Sequence, residues 1–158
     1  MREFIESCER VYRRYKGLAE ATFEVLTAEQ LAQLAGAEGN SVAVLAWHIS
    51  GNLGSYFTEF LTSDGEKPWR QRDSEFDDRR VTHVELRQRW AEGWEVLFAT
   101  LQGLSDADLS KQVRIRGEAV AVHDALHRSL AHTSYHVGQI VFLGKSLRGA
   151  EWRSLSIP

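Results

Sequence analysis

Residues 126–143 read LHRSLAHTSYHVGQIVFL, and their apolar positions settle what this part of the chain does. At about 100° per residue, Leu126, Leu130, Val137, Ile140 and Leu143, with Leu147 beyond them, fall on one broad arc of an amphipathic helix. His136 falls inside that arc and His132 at its edge. Four positions apart on a helix, two imidazoles stack on one face roughly 6 Å from each other, a spacing that suits two ligands of a single metal ion. A second pair just upstream, His123 and His127, has the same spacing. It lies about half a turn away, beside Ser134 and Lys145, on the face that meets water. Helical phase therefore favours His132 and His136.

Two histidines alone bind a divalent ion weakly, and a catalytic zinc-like site usually has three protein ligands plus water. Of the six histidines in the chain, His83 stands at a predicted helix start beside a polar loop. His48 lies within SVAVLAWHISGNLGSYFTEFL, residues 41–61, an apolar helix in which an imidazole is costly unless its ring nitrogens find partners. It is the natural third ligand. Asn52, one turn on, is placed to orient a water or a substrate. Glu59 lies about 16 Å along the helix from His48 and cannot share an ion with it.

The 158 residues, 43% of them hydrophobic, predict one domain with ample material for a core. A formal net charge of −3, with no Lys/Arg-rich stretch interleaved with aromatics, argues against nucleic acid as a partner. The first residues, MREFIESCERVYRRYKGL, carry a charge every few positions, unlike a signal peptide, and no run of about 18 uncharged apolar residues occurs. A cytoplasmic protein without membrane partners is the expectation. Cys8 is the only cysteine, so neither an internal disulfide framework nor a cysteine metal site is available.

Taken in order, Phe4, Ile5, Cys8, Val11, Tyr12, Tyr15 and Leu18 predict a helix over residues 2–25. Thr27 opens a capping box, TAEQ, for a short helix from Ala28 to Leu34, and Ser41 caps the apolar helix from Val42 to about Thr62. In that helix Ser55 and Glu59 read as a solvated flank. Residues 63–81 form a connection far longer than usual between antiparallel neighbours and permit a crossover between parallel helices. Its Trp69, Arg70 and Arg72 read as a charged loop pinned by one buried tryptophan rather than as site residues. Thr82 opens a second capping box for a helix that ends at Gly103, a suitable C-cap. Ser105 caps a single turn, and KQVRIRGEAVAV predicts a small hairpin around Arg116-Gly117-Glu118. The last helix runs from Val122 to Leu147, followed by an extended tail with Trp152 packed on the bundle. The fold class is thus all-α, a four-helix bundle in which a ligand from the second long helix can meet a pair from the fourth.

WHISGN around His48 and HTSYHVGQI around His132 and His136, with the order of elements over nearly the whole chain, resemble the DinB-like (YfiT-like) superfamily of metal-binding four-helix bundles. The resemblance implies that His48, His132 and His136 hold the metal, commonly zinc or nickel and sometimes iron or manganese, with water in an open position. It also implies homodimers. Relatives of known activity include thiol-dependent S-transferases and a thiol-dependent isomerase, while many have no assigned activity.

Three neutral imidazoles and an open position are the ingredients of Lewis-acid chemistry on water or a low-molecular-weight thiol. No carboxylate stands at a spacing that marks it as a general base. Gln139, about one turn from His136, suits either a hydrogen bond that supports a metal ligand from outside or an ordinary interhelical bond. The absence of Glu-x-x-His excludes a ferritin-like di-iron site, and the absence of H-E-x-x-H excludes that protease class. Two function classes stay open: a metal-dependent transferase or hydrolase acting on a small molecule, and a non-catalytic metal-binding or interaction bundle.

Overall fold

The computed structural model describes residues 2–36 and 39–155. Its helices are α1 (Glu3–Val25), the short α2 (Ala28–Ala32), α3 (Val42–Phe57), α4 (His83–Gly103) and α5 (Val122–Arg148), with strands β1 (Gln112–Ile115) and β2 (Glu118–Ala121) before the last helix. The fold is an all-α helical bundle, as the periodicity requires. Local chemistry starts the elements where expected. Thr27 with Gln30, and Thr82 with Glu85, form reciprocal capping boxes, and the Ser41 hydroxyl accepts from the Val44 amide.

Side-chain pairings give the direction of each long helix. The Gly93 amide donates to Ser50 Oγ at 3.2 Å and Thr100 Oγ1 donates to the Phe57 carbonyl at 3.0 Å, so the registers of α3 and α4 advance together. These two helices are parallel. Phe4 meets His127 at 5.3 Å between ring centroids, and Thr22 lies beside Gly144, which makes α1 and α5 parallel as well. Tyr56 donates to the Ala125 carbonyl while His48 meets His132, and Tyr12 packs on Trp94 while Phe23 packs on Trp90. Hence α3 runs antiparallel to α5, and α1 to α4. Going round the bundle the order is α1, α5, α3, α4.

Parallel neighbours cannot be joined by a tight turn, because the chain must first travel back along a helix of 16 residues, about 24 Å. That is why residues 58–82 form so long a connection. They lie against α3, held there by Ser55, whose hydroxyl donates to the Gly65 carbonyl at 2.7 Å and accepts from the Lys67 amide at 3.3 Å. Ser55 is fully buried rather than a solvated flank. On the opposite side α3 packs so closely on α4 that a Cβ at Gly93 would lie 2.4 Å from the Ser50 carbonyl oxygen. Trp90, Trp94, Tyr12, Phe23 and Phe57 are the large side chains of the core.

Three boundaries differ from the sequence reading. The apolar pattern of α3 continues through Phe60, but the helix stops at Phe57: Thr58 is extended, its hydroxyl returns to the Gly54 carbonyl, and Glu59 takes φ 50°. Phe60 is buried from a turn instead. α2 ends at Ala32, before Leu34. The C-cap of α4 is Leu104, extended and 3% exposed, whose burial draws the chain out of the helix; Gly103 is still helical. The hairpin turns at Arg116 and Gly117, φ 54° and 78°, the left-handed pair that a two-residue hairpin turn requires. After α5 the chain makes a short 3-10 turn at Gly149–Glu151 rather than extending at once, and the Trp152 ring packs at Gly144. Residues 37 and 38 of the expected loop and 156–158 of the tail lie outside the described residues. No described helix is long and apolar enough to cross a membrane.

Candidate metal centre

α3 and α5 meet where His48 faces His132 and His136. One ring nitrogen from each of the three lies within 4.8 Å of the other two, the only such group of histidine, cysteine or acidic side chains among the described residues. His48 Nε2 is 3.1 Å from His132 Nε2. Two ligands of one tetrahedral ion at bond lengths of about 2.0–2.1 Å stand roughly 3.3 Å apart, within the spread seen here. The ring centroids are 4.6 to 5.1 Å apart and the planes are close to perpendicular, as imidazoles converging on one point would be.

The outer nitrogens of two of these rings are held. His48 Nδ1–H donates to Glu75 Oε2 at 2.9 Å, and His136 Nδ1–H donates to Gln139 Oε1 at 2.8 Å. Each bond fixes the tautomer, since a ring whose Nδ1 carries the proton presents a bare Nε2 lone pair to the centre. Gln139 thus bonds within α5 and not across helices. His132 Nδ1 is buried without a partner. If His132 carries its proton there instead of on Nε2, two lone pairs face each other at 3.1 Å, an arrangement that a cation relieves. The donor set therefore fits a divalent ion: three imidazole rings converge, two of them oriented from behind.

Glu75 comes from the crossover, on a short 3-10 turn at Asp73–Phe76. It is 5% exposed and is gripped by Arg70, whose Nε and terminal nitrogen each donate at 2.8 Å. Burial by itself would raise its pKa, but the bonds from Arg70 and His48 outweigh this and hold it below the usual carboxylate range. It stays ionised and can only accept. Room for it exists because residue 51 has no side chain; a Cβ there would lie 2.2 Å from Glu75 Oε1. Phe76, on the same turn, covers the His48 ring at 4.6 Å between centroids.

Burial pushes the His132 pKa down to about 4, and the positive charge available to His136 and His48, and to Arg70 and Arg72, adds to the shift. His136 is lowered too, mainly by burial, against an upward pull from Gln139. Both rings are thereby kept neutral and able to bind an ion at neutral pH.

The remaining histidines stand apart. His83 donates to the Leu26 carbonyl at 2.8 Å, His123 donates to the Leu109 carbonyl at 2.9 Å, and His127 is exposed against Phe4. On α5 the structure brings His132 and His136, and not His123 or His127, to His48. The connection differs from its sequence reading: Trp69 is 59% exposed rather than buried, Arg70 supports the centre rather than standing outside it, and so does Glu75, which the sequence did not single out. One signal pointed to them. A histidine in an apolar helix that offers one nitrogen to a metal needs an acceptor for the other, and no acidic residue of α3 was in reach.

A family model described as "Protein of unknown function (DUF1572)" matches residues 1–158. The chain belongs to that family. No curated protein matches it.

Proposed function

We propose that this member of the DUF1572 family is a DinB-like bundle in which His48, His132 and His136 hold one divalent ion, zinc or nickel first and iron or manganese next. We further propose that it is a metal-dependent enzyme of the thiol-dependent S-transferase or hydrolase type, acting on a small molecule. The observation that carries the reading is the convergence of three imidazoles whose orientation Glu75 and Gln139 set from outside. Structural zinc sites are usually closed by a fourth protein ligand, whereas both Glu75 oxygens are engaged by Arg70 and His48.

Such an ion, when bound, supplies Lewis acidity and lowers the pKa of a water or thiol held at its open position. The chain supplies the rest. Glu75 and Gln139 fix ring tautomers, Arg70 keeps Glu75 ionised, Phe76 shields His48 from water, and Asn52 offers an amide in the cavity beside His48 and His132. One family match over the whole length favours a single domain. Tyr135 and Phe142, 64% and 70% exposed on α5, offer an apolar face for a homodimer.

The test is elemental analysis of untagged protein beside His48→Ala and His136→Ala. A stoichiometric divalent ion in the wild type, lost from both variants, supports the centre, and thiol-dependent turnover lost with it supports an enzyme. Failure to take up zinc, nickel, iron or manganese after reconstitution removes the metal reading. A large fall in melting temperature on chelation, with a fourth protein ligand in spectroscopy, turns it to a structural, non-catalytic site.

A further inference from the structure

Beside the histidines a cavity of about 290 Å³ opens between α3, α5, the crossover and the hairpin; among its walls are His48, His132, Asn52, Arg72, Arg116 and Arg128. Its volume lies near the lower end of the range for small-molecule sites. The charge of its walls is at odds with that of the chain, which is net −3.

The arginines differ in what they already hold. Arg70, also in the wall, is spent on Glu75. Arg116 donates from Nε to Glu66 at 2.6 Å, and Glu66 is the one carboxylate in the wall. Among the described residues the one ion pair of Arg72 is with Asp73, at 3.8 Å and fully in solvent, a pair worth little; its guanidinium also lies 5.5 Å from the centre of the Phe76 ring. Arg128 has no ion pair or hydrogen bond among the described residues. Two guanidinium groups without an effective counter-charge among the described residues thus line the same cavity as His48 and His132.

The fold also brings the third arginine to this place by a dedicated tie. Asp64 on the crossover accepts from the amides of Arg116 and Gly117 at the hairpin tip, at 2.9 and 2.6 Å, and from the Glu66 amide at 2.8 Å. The Gly65 amide donates to the Arg114 carbonyl at 2.8 Å. Val113 of β1, 3% exposed, anchors the body of the hairpin in the core, and the Asp64 bonds fix its tip to the crossover.

We propose that this cavity is the substrate pocket and that it takes a small organic anion, a carboxylate or phosphate ester, held by Arg72 and Arg128 of its wall with its reacting part against His48 and His132. The placing of the reacting part rests on the metal reading; the anion site does not. Guanidinium groups fit both oxyanions through paired N–H donors. A positive pocket in a negative molecule also concentrates anions locally while leaving the rest of the surface repulsive to them.

The test is calorimetric titration at constant ionic strength of metal-stripped and zinc-reloaded protein with succinate and with glycerol 3-phosphate, beside neutral succinamide and glycerol. Binding of at least one anion to the metal-stripped protein is expected, with its neutral analogue at least about tenfold weaker. An Arg72→Gln, Arg128→Gln double variant should lose about tenfold or more, the scale of one charge-assisted hydrogen bond, and Arg128→Lys should recover part of it. Melting curves and zinc content of the variants establish that fold and centre persist. The proposal is overturned if neither anion binds, if the neutral analogues bind as well, or if the double variant keeps wild-type affinity. Failure of zinc to bind, with arginine-dependent anion binding intact, removes the metal reading and leaves the pocket.

Discussion

Glu75 does two things through one carboxylate: it accepts the Nδ1 proton of His48 and neutralises Arg70. Glu75→Gln removes the charge but keeps the shape, and is expected to weaken metal binding by roughly 10–100-fold, read by competition with a chromophoric chelator. Equal affinity in the variant would mean that the apolar packing of α3 orients His48 unaided. Arg70, with 7% of its side chain exposed, would then lack its counter-charge, so Glu75→Ala should also cost about 3–5 kcal/mol in urea unfolding. His132 gives a pH signature. Its pKa falls from 6.5 to about 4 on folding, so the metal-free protein is favoured above pH 6.5 and loses that stability as pH falls toward 4, where the ring must be protonated in both states. Melting temperatures of stripped protein across this window should fall more steeply than those of His132→Asn; parallel profiles would show that His132 is not held neutral.

Among the elements, the crossover is the one with a function beyond connecting. Its length follows from parallel α3 and α4, and its path along α3 puts Glu75 behind His48. Gly51 makes that path possible, since a Cβ there meets the Glu75 carboxylate. Gly51→Ala is expected to displace Glu75 and reduce metal retention, whereas Gly93→Ala, which meets the backbone of Ser50, should act on the bundle and cost about 1–3 kcal/mol. The two are separated by measuring zinc content and unfolding on each. If Gly51→Ala keeps both full zinc and full stability, the turn at Asp73–Phe76 has slack that its packing does not show. Thr82→Ala, losing the α4 capping box, should cost about 1 kcal/mol and leave metal content alone.

For the molecule as a whole, two parallel helix pairs set antiparallel to one another enclose Trp90, Trp94 and Tyr12 in the core, while the α3–α5 seam carries the histidines. A ligand bound only by the folded state stabilises it by mass action, so saturating zinc at 100 times its Kd should add about 2.7 kcal/mol and raise the melting temperature reversibly. An unchanged melting temperature would mean that the three rings hold no zinc in the folded chain. The cavity beside the seam is a property of this level too. α3, the crossover, the hairpin tip and α5 each contribute to its wall, and none of them is basic enough alone to mark an anion site.

What the sequence determined is whatever depends on helical periodicity and local capping: the long helices, the two threonine boxes, the hairpin turn, and the helical phase that sets His132 and His136 on a different face of α5 from His123 and His127. An apolar arc and an N-cap are written in neighbouring residues, so they can be read without knowing what packs where. His48 was legible for a related reason, an imidazole among apolar side chains needing partners. Glu75 and Arg70 were not, because their roles arise from a chain segment returning along α3, 27 residues from His48 in the case of Glu75. The end of α3 at Phe57, the burial of Ser55 and the exposure of Trp69 belong to the same class. Charges and hydroxyls on a connection take their meaning from the surface it crosses, and only the tertiary structure supplies that surface.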